Sequence, residues 1–573
     1  MKLFHRLKIY TTTLILFLLF ISAKAQQTVG MFSNTQGAFD GYVLFAPNLS
    51  TATYLIDKCG YLVHQWTSTH QPGQSVYLLE DGNLLRPGKN NNAVFNAGGT
   101  GGVIEKFNWS SSLLWSYTIS STTECQHHDI KKLPNGNVLA IVWELKTVAQ
   151  SIAAGRNPAL LGASLWSEKI IEVQPTGTNS GTIVWEWHVW DHLIQDYSSA
   201  KSNYGVVASH PELINLNYTS GTSADWLHCN AIDYNAALNQ IILSSHNFSE
   251  LWIIDHSTTT AQAASHSGGT HAKGGDLLYR WGNAAAYNRG TTVNKKLFGQ
   301  HNVRWIESVL PDEGNIMVFN NGLNRPAGNY SSVEIIAPPV DANGNYSIVT
   351  NQAYQPDSSY WKYTATVPTN FFSMNISGAQ RLSNGNTIIC EGTKGNFFEI
   401  DTAKNTVWKY VNPVGQNGTI LSQGNTATQN SVFRCTLYPS SYSGFAGQTL
   451  IGGNPIELNP LPYNCSSVTL NLKLFIEGYY LGNGIMHAVS DPLNHPAACD
   501  TVIVRLNNST GTHAMIYAAN VVIDTNGNGS LVIPSGYYGN QYYISMKPRN
   551  ALETWSKIPV SFNGSVVSYD FMH

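Results

Sequence analysis

The sequence predicts an all-β chain: a six-bladed β-propeller followed by a small C-terminal β-sandwich-like domain. Three observations point there. Strand–turn–strand units recur along the first 410 residues, each unit closes on an aromatic in a β-rich end, and three of the units open on a histidine. His127-His128 leads into DIKKLPNGNVLAIVWE, His228 into NAIDYNAALNQIILSSHN, and His301 into NVRWIESVLPDEGNIMVFNNG. In each, an apolar-patterned strand, a turn built on Asn, Gly or Asp, and a second strand make a hairpin. Ser75 to Gly88 and Gly378 to Gly392 carry the same hairpin without the histidine.

The closing strands are marked by Trp66, Trp115, Trp185, Trp281, Trp361 and Trp408, six closings between Gly41 and Tyr410. Their period is roughly 50 to 90 residues, the longer units carrying insertions. An open solenoid or a pair of sandwiches is the competing layout. Radial closure is favoured because it protects the edges of many short antiparallel strands and leaves a channel where the opening residues of the blades converge.

Composition fits an exported all-β protein. Of 573 residues only 12% are charged, while 15 Trp and 29 Tyr are present and no long helical period stands out. A net charge of −3 argues against nucleic acid as a partner but leaves a local cationic pocket open. Residues 1–25 have a basic start at Lys2, Arg6 and Lys8, an apolar run from Ile9 to Ile21 and an Ala23-Lys24-Ala25 ending. This pattern predicts a signal peptide cleaved before Gln26, and hence a periplasmic, secreted or cell-surface protein. The apolar run is short of the roughly 20 residues a membrane span needs, and no later segment could span. The seven cysteines include no C-x-x-C pair, so no cysteine-based metal site is expected, and an odd count leaves at least one thiol unpaired.

The propeller is expected over 26–438 and a Gly/Ser/Pro-rich connector packed along it over 439–467. A β-rich accessory domain is expected over 468–573, similar to modules appended to secreted proteins of Bacteroidetes-type bacteria. Asp524, Asn526 and Asn528 make half of a calcium-loop pattern; without further acidic ligands they read as a hairpin turn.

Most of the 18 histidines, including His192, His210, His266 and His271, sit in polar loops and receive no role. His128, His228 and His301 differ because each stands at the opening of a blade, with Asn230, His246, Arg280 and Arg325 nearby in sequence. Three imidazoles from separate strands suit an open metal site. They equally suit anion chemistry, in which one neutral imidazole attacks a sulfuryl or phosphoryl centre while other histidines and an arginine hold its oxygens.

The motifs HHDIKKLPNGN, DWLHCNAIDY, IILSSHNFSELWIID, GGDLLYRWGN, GQHNVRWI and FNNGLNRPAGN together resemble the bacterial aryl-sulfate sulfotransferase family over roughly Asp40 to Val411. The resemblance implies transfer of a sulfuryl group from a phenolic sulfate ester to a phenol, with no nucleotide sulfate donor, no cofactor and no metal. It further implies that His301 is the histidine that becomes transiently sulfated. His228 and His128 match further pocket histidines, with His127 the alternate for His128 because adjacent strand residues face opposite sides. Asn230 falls where the family keeps an asparagine near the substrate.

One departure stands out. Where many members have arginine after two serines, this chain has Ser244-Ser245-His246, a titratable ring in place of a permanent cation. A protonated His246, or Arg325, is then expected to supply the charge. The expected mechanism is ping-pong: His301 attacks sulfur, His228 or His128 protonates the departing phenolate, and the same group later deprotonates the acceptor phenol. Two other readings stand beside it. A non-catalytic secreted propeller binding a glycan or protein has no need of three such histidines, and a quinoprotein would want a vicinal disulfide or a calcium cluster that the sequence lacks. The sequence leaves open the natural donor and acceptor, disulfide pairing, the role of the C-terminal domain, and whether the protein forms a homodimer.

Overall fold

The computed structural model describes residues 26–572 except 36, 220, 462–467, 535–536 and 565; the expected signal peptide lies outside the described residues. Between Gly30 and Tyr438 the chain folds into six small antiparallel sheets, each of four or five strands. Their innermost strands are, in chain order, Tyr77–Leu78, Glu124–Lys132, Cys229–Asn235, His301–Trp305, Gly378–Arg381 and Val432–Tyr438. The first four sheets are simple up-and-down meanders, and the fifth adds the N-terminal strand Gly30–Asn34 outside Thr406–Val411. The sixth is composite: Val432–Tyr438 pairs with Tyr42–Pro47, which continues through Ala52–Asp57 to Leu62–Thr67, so opposite ends of the chain share one sheet.

A circle of polar contacts joins the inner strands. Asp129 Oδ2 accepts from the Ile232 N–H at 3.2 Å, Asp233 Oδ2 from Trp305 at 3.0 Å, and Asn302 Oδ1 from Ala379 at 2.9 Å. Gln380 Oε1 accepts from Leu437 at 2.9 Å, the Tyr438 hydroxyl from Leu78 at 2.9 Å, and the Ser75 N–H donates to the His128 carbonyl at 3.2 Å. Each short inner strand thus has a polar tie to the strand on either side, the arrangement of a propeller.

The marker tryptophans have a physical role in this layout. Each lies on the closing strand of its meander and meets the next sheet. Trp66 Nε1 donates to Asn108 O, Trp115 to Ser180 O, Trp185 to Thr258 Oγ1, Trp281 to Pro356 O and Trp408 to Lys58 O. All five of these rings are buried, and Trp361 lies under the Arg381 guanidinium at 4.8 Å. An indole is wide enough to seal the wedge between diverging sheets and carries its own donor, so removing one costs about 3–5 kcal/mol.

Beyond Tyr438, Tyr442 donates its hydroxyl to Leu78 O and Phe445 is buried beside Tyr438. The last hundred residues form two main sheets over a separate apolar core that includes Val468, Leu470, Val504, Ile523 and Ile544. Asp524 accepts from the Asn528 N–H, closing a turn between Met515–Asp524 and Asn528–Ile533. Those strands belong to different sheets, so the turn carries the chain across the sandwich and is not a hairpin. Among the described residues, no helix is long and apolar enough to cross a membrane. Cys59 is disulfide-bonded, while Cys125, Cys229, Cys390, Cys435 and Cys499 are free and buried.

Candidate active site

Three inner strands are irregular at one end, and the irregularity lies at the histidines. Pairing shifts register opposite Gln126–Ile130, at Cys229–Ala231 and between His301 and Arg304. His128 and His228 both have φ of +52° and Asn302 has +51°, a left-handed conformation uncommon for residues with a Cβ. Bulges of this kind turn side chains out of the strict alternation of a strand. Space is made by glycine: a Cβ on Gly99 (φ +91°) would fall 1.9 Å from the His128 ring, and one on Gly299 (φ +64°) 2.9 Å from His246 Nε2.

The result is a chain of imidazoles. Ring centres are 4.6 Å apart for His128 and His228, 5.2 Å for His228 and His246, and 5.5 Å for His246 and His301. Phe433 closes one side, 6.0 Å from His128 and 6.3 Å from His301.

Each ring has a different partner, and the partners set different protonation states. His228 Nδ1 meets Asp225 Oδ2 at 2.5 Å. Burial opposes charge on both, but their mutual attraction outweighs it, holding His228 above the usual imidazole range and Asp225 below the usual carboxylate range. The charged form of His228 is therefore favoured, and in that form its Nε2–H is free of the carboxylate. His301 Nδ1 meets Asn321 Oδ1 at 2.8 Å, and Asn321 is itself fixed by donating to Ser373 O and Ile376 O. Since the amide nitrogen is committed as donor, its oxygen accepts, placing the hydrogen of His301 on Nδ1 and the lone pair on Nε2. Burial first, then His246, pushes His301 well below the ordinary range, so the ring is neutral. The Ile376 N–H points at that lone pair from 3.2 Å, from a residue at φ +49°.

His127 and His128 are not alternates. His127 is fully buried, stacked on Trp143 at 3.9 Å, and joins Glu168 to His128: Nε2 is 2.7 Å from Glu168 Oε2 and Nδ1 is 2.8 Å from His128 Nδ1. Burial, then the nearby Asp225, pushes Glu168 well above the carboxylate range, and burial pushes both histidines well below theirs. The raised Glu168 favours one order of hydrogens, in which the carboxyl donates to His127 Nε2, His127 Nδ1–H donates to His128 Nδ1, and His128 keeps its hydrogen on Nε2.

The cation is placed differently from expectation. His246 is lowered to about 4 by burial and by His228, so it is neutral at pH 7; its Nδ1 meets Asn247 Oδ1 at 2.8 Å. Arg325 donates to Tyr330 O and Ser332 Oγ, pairs with Glu334 at 3.7 Å and covers the Phe298 and Tyr330 rings, and none of its polar contacts reaches the histidines. Arg280, for its part, is buried on Glu250. Arg434 is the guanidinium whose charge acts on His301; it stacks on Phe433 at 4.5 Å and pairs with Asp129 at 2.9 Å. Asn230 is fully buried, donates to Gln300 O at 2.8 Å, and leaves its Oδ1 without a protein partner.

Sequence reasoning had passed over Glu168, Asn321, Phe433 and Arg434. Asn321 stood inside the FNNGLNRP motif and Asp225 three residues before His228, both readable as partners. Glu168 and Arg434 had no local signal, because they arrive from neighbouring strands.

A family model described as arylsulfotransferase (ASST) matches residues 34–438. The chain belongs to the arylsulfotransferase family. The match ends at the last residue of the strand that completes the sixth sheet, so the family region and the ring of sheets coincide. No curated protein matches the chain significantly. Similar solved structures include a protein of unknown function from Bacteroides caccae, 11% identical over 70% of this chain and 98% of that one, with a TM-score of 0.37. A streptogramin B lyase is 10% identical over 72% and 95%, with a TM-score of 0.33, and a virginiamycin B lyase from Staphylococcus aureus 8% identical over 66% and 88%, with a TM-score of 0.30. Membership of the arylsulfotransferase family supports sulfotransferase activity on small molecules.

Proposed function

We propose that the protein moves a sulfuryl group from a phenolic sulfate ester to a phenol through a sulfo-histidine at His301, in a six-bladed propeller with one blade per sheet. The observation that carries this reading is two differently held imidazoles on either side of His246: His301, whose Nδ1 is held by Asn321, and His228, whose Nδ1 is held by Asp225, which favours its charged form. The first is a nucleophile and the second an acid.

In the first half-reaction His301 Nε2 forms a bond to sulfur as the sulfur–oxygen bond to the aryl group breaks. The departing phenolate takes the proton from His228 Nε2. The Ile376 N–H, which now faces the nitrogen lone pair, is released to a sulfuryl oxygen, and His128 Nε2–H is a second, neutral donor. In the second half-reaction neutral His228 takes the proton of the acceptor phenol. The phenol oxygen attacks sulfur, and the nitrogen–sulfur bond breaks, returning the lone pair to His301. Asp225 holds the imidazolium each time it forms. The disulfide-bonded Cys59 supports the accompanying reading that the chain is exported.

The test is intact mass of the protein after brief mixing with 4-nitrophenyl sulfate, beside His301→Ala. A gain of one sulfuryl group, discharged by added phenol and absent in the variant, is expected. No adduct and no nitrophenol from folded wild-type protein would refute the reading.

A further inference from the structure

A second cluster of histidines lies away from the channel, at residues the sequence had given no role. His192 follows the outer strand Ser180–His188 of the second sheet, while His266 and Asp276 come from the long insertion between Glu250–Asp255 and Tyr279–Trp281 of the third. Both imidazoles aim Nδ1 at the same carboxylate oxygen: His192 at 2.8 Å and His266 at 2.7 Å from Asp276 Oδ1. The three candidate ligand atoms lie within 4.8 Å of one another, and this is the group that meets such a criterion among the described residues.

Both ring nitrogens of His192 face acceptors. Its ring is fully buried, stacked on Trp187 at 5.7 Å with planes 7° apart, and its other nitrogen, Nε2, is 2.8 Å from the Ala263 carbonyl. A carbonyl only accepts, so Nε2 carries hydrogen. Nδ1 faces a carboxylate oxygen, also an acceptor, so for a ring carrying one hydrogen this contact is completed by a cation. His266 presses the same demand on the same oxygen. The ring cannot turn to escape: Trp187 Nε1 donates to Gly275 O at 2.7 Å, and a Cβ on Gly275 would fall 2.5 Å from His192 Nε2, so the backbone is drawn tight against the imidazole.

We propose that His192, His266 and Asp276 bind a divalent transition-metal ion of the zinc class, outside the catalytic channel. The ion replaces the missing hydrogens: both Nδ1 lone pairs and Asp276 become ligands, and His192 Nε2–H donates to the Ala263 carbonyl. Metal-bound histidines characteristically hold their second nitrogen this way. Two imidazoles and one carboxylate suit zinc better than calcium or magnesium, which prefer all-oxygen ligands. With two ligands from the insertion and one from the preceding sheet, the ion pins residues 256–278 to the neighbouring sheet.

The experiment uses untagged, folded protein stripped with a chelator and titrated with Zn²⁺, bound metal being counted by native mass spectrometry. His266→Ala and Asp276→Asn are compared with His513→Ala, an exposed histidine elsewhere. His266 is exposed, so its replacement leaves the fold intact. One equivalent bound by wild type and His513→Ala, lost in both site variants, together with a melting temperature that rises on Zn²⁺ addition in wild type and His513→Ala but in neither site variant, is the expected result. An uptake unchanged in His266→Ala, which would place any zinc on the channel histidines, overturns the site. So does nitrogen NMR showing both His192 nitrogens still protonated with zinc present, since the cluster would then be a buried imidazolium–carboxylate pair.

Discussion

The two ends of the channel are built from the same inner strands but in opposite ways. At the histidine end the strands bulge, His128, His228 and Asn302 are left-handed, and His128, His228 and His246 each meet a side-chain partner through Nδ1. At the other end the strands run in register around a cavity of about 820 Å³, lined by residues such as Lys131, Asp233, Arg304, Tyr77 and Tyr438. There charge meets charge: Lys131 with Asp233 at 2.6 Å, Arg304 with Glu307 at 3.2 Å, Arg381 with Asp312 at 2.6 Å. The difference teaches that regular pairing lets neighbouring strands neutralise one another, whereas bulging leaves polar atoms uncommitted. Chemistry needs the second condition and stability the first.

Several substitutions break this contrast or sharpen it. Asp225→Asn has the largest expected effect, on the order of 10²–10⁴ in kcat, because it removes the counter-charge that makes His228 an acid. The sign of the pH change follows from the direction of the shift. His228 is raised, so the donor half-reaction is active below its pKa and fails as pH rises through it. In Asp225→Asn that alkaline limb moves to lower pH, as read from nitrophenol release against pH.

Glu168 sharpens the account of the histidine end. Because its raised pKa makes it a donor to His127, Glu168→Gln preserves the direction of every hydrogen bond along His127 to His128 and costs less than about tenfold. Glu168→Ala leaves a buried nitrogen unpaired and costs about 1–3 kcal/mol in stability as well as more activity. Equal, large losses in kcat/KM for the two variants would show that the ionised form is the working one.

A gain in place of a loss is expected from His246→Arg. It restores a permanent cation where the present ring is neutral, and kcat/KM for an aryl sulfate should rise about tenfold, with weaker dependence on acid pH. At the opposite end, Asp233→Asn should leave turnover unchanged and cost about 1–3 kcal/mol in urea unfolding. Burial works to raise Asp233, but Lys131 and Arg304 outweigh it and hold it low. Its contribution is thus present above the ordinary carboxylate pKa and lost as pH falls through the depressed one.

Much of the layout was legible along the chain because it repeats. Hairpin turns and closing tryptophans recur since each sheet solves the same packing problem, and three opening histidines stand out against that background. What the chain order hid was contact between sheets. Asp225 lies beside His228 in sequence, but Glu168 reaches His127 from 41 residues away and Arg434 reaches Asp129 from 305. Nor did alternation along a strand foretell His127 and His128 acting together, because the bulge and the left-handed turn at His128 cancel the two-residue period on which that expectation rested. His246 stands out along the chain as a histidine after two serines, yet its charge depends on burial and on His228, neither of which spacing reveals.

The composite sixth sheet has a consequence in time. Tyr42–Pro47 is made early, but its inner partner, Val432–Tyr438, leaves the ribosome almost 400 residues later. At about 5–20 residues per second, that is a wait of tens of seconds with an open strand edge. The histidines sit on strands whose neighbours become fixed only when the last one docks, so a chain ending before Val432 would contain every residue of the imidazole row and still lack both Phe433 and Arg434. The pocket around the imidazole row is thus completed only by the last strand of the ring.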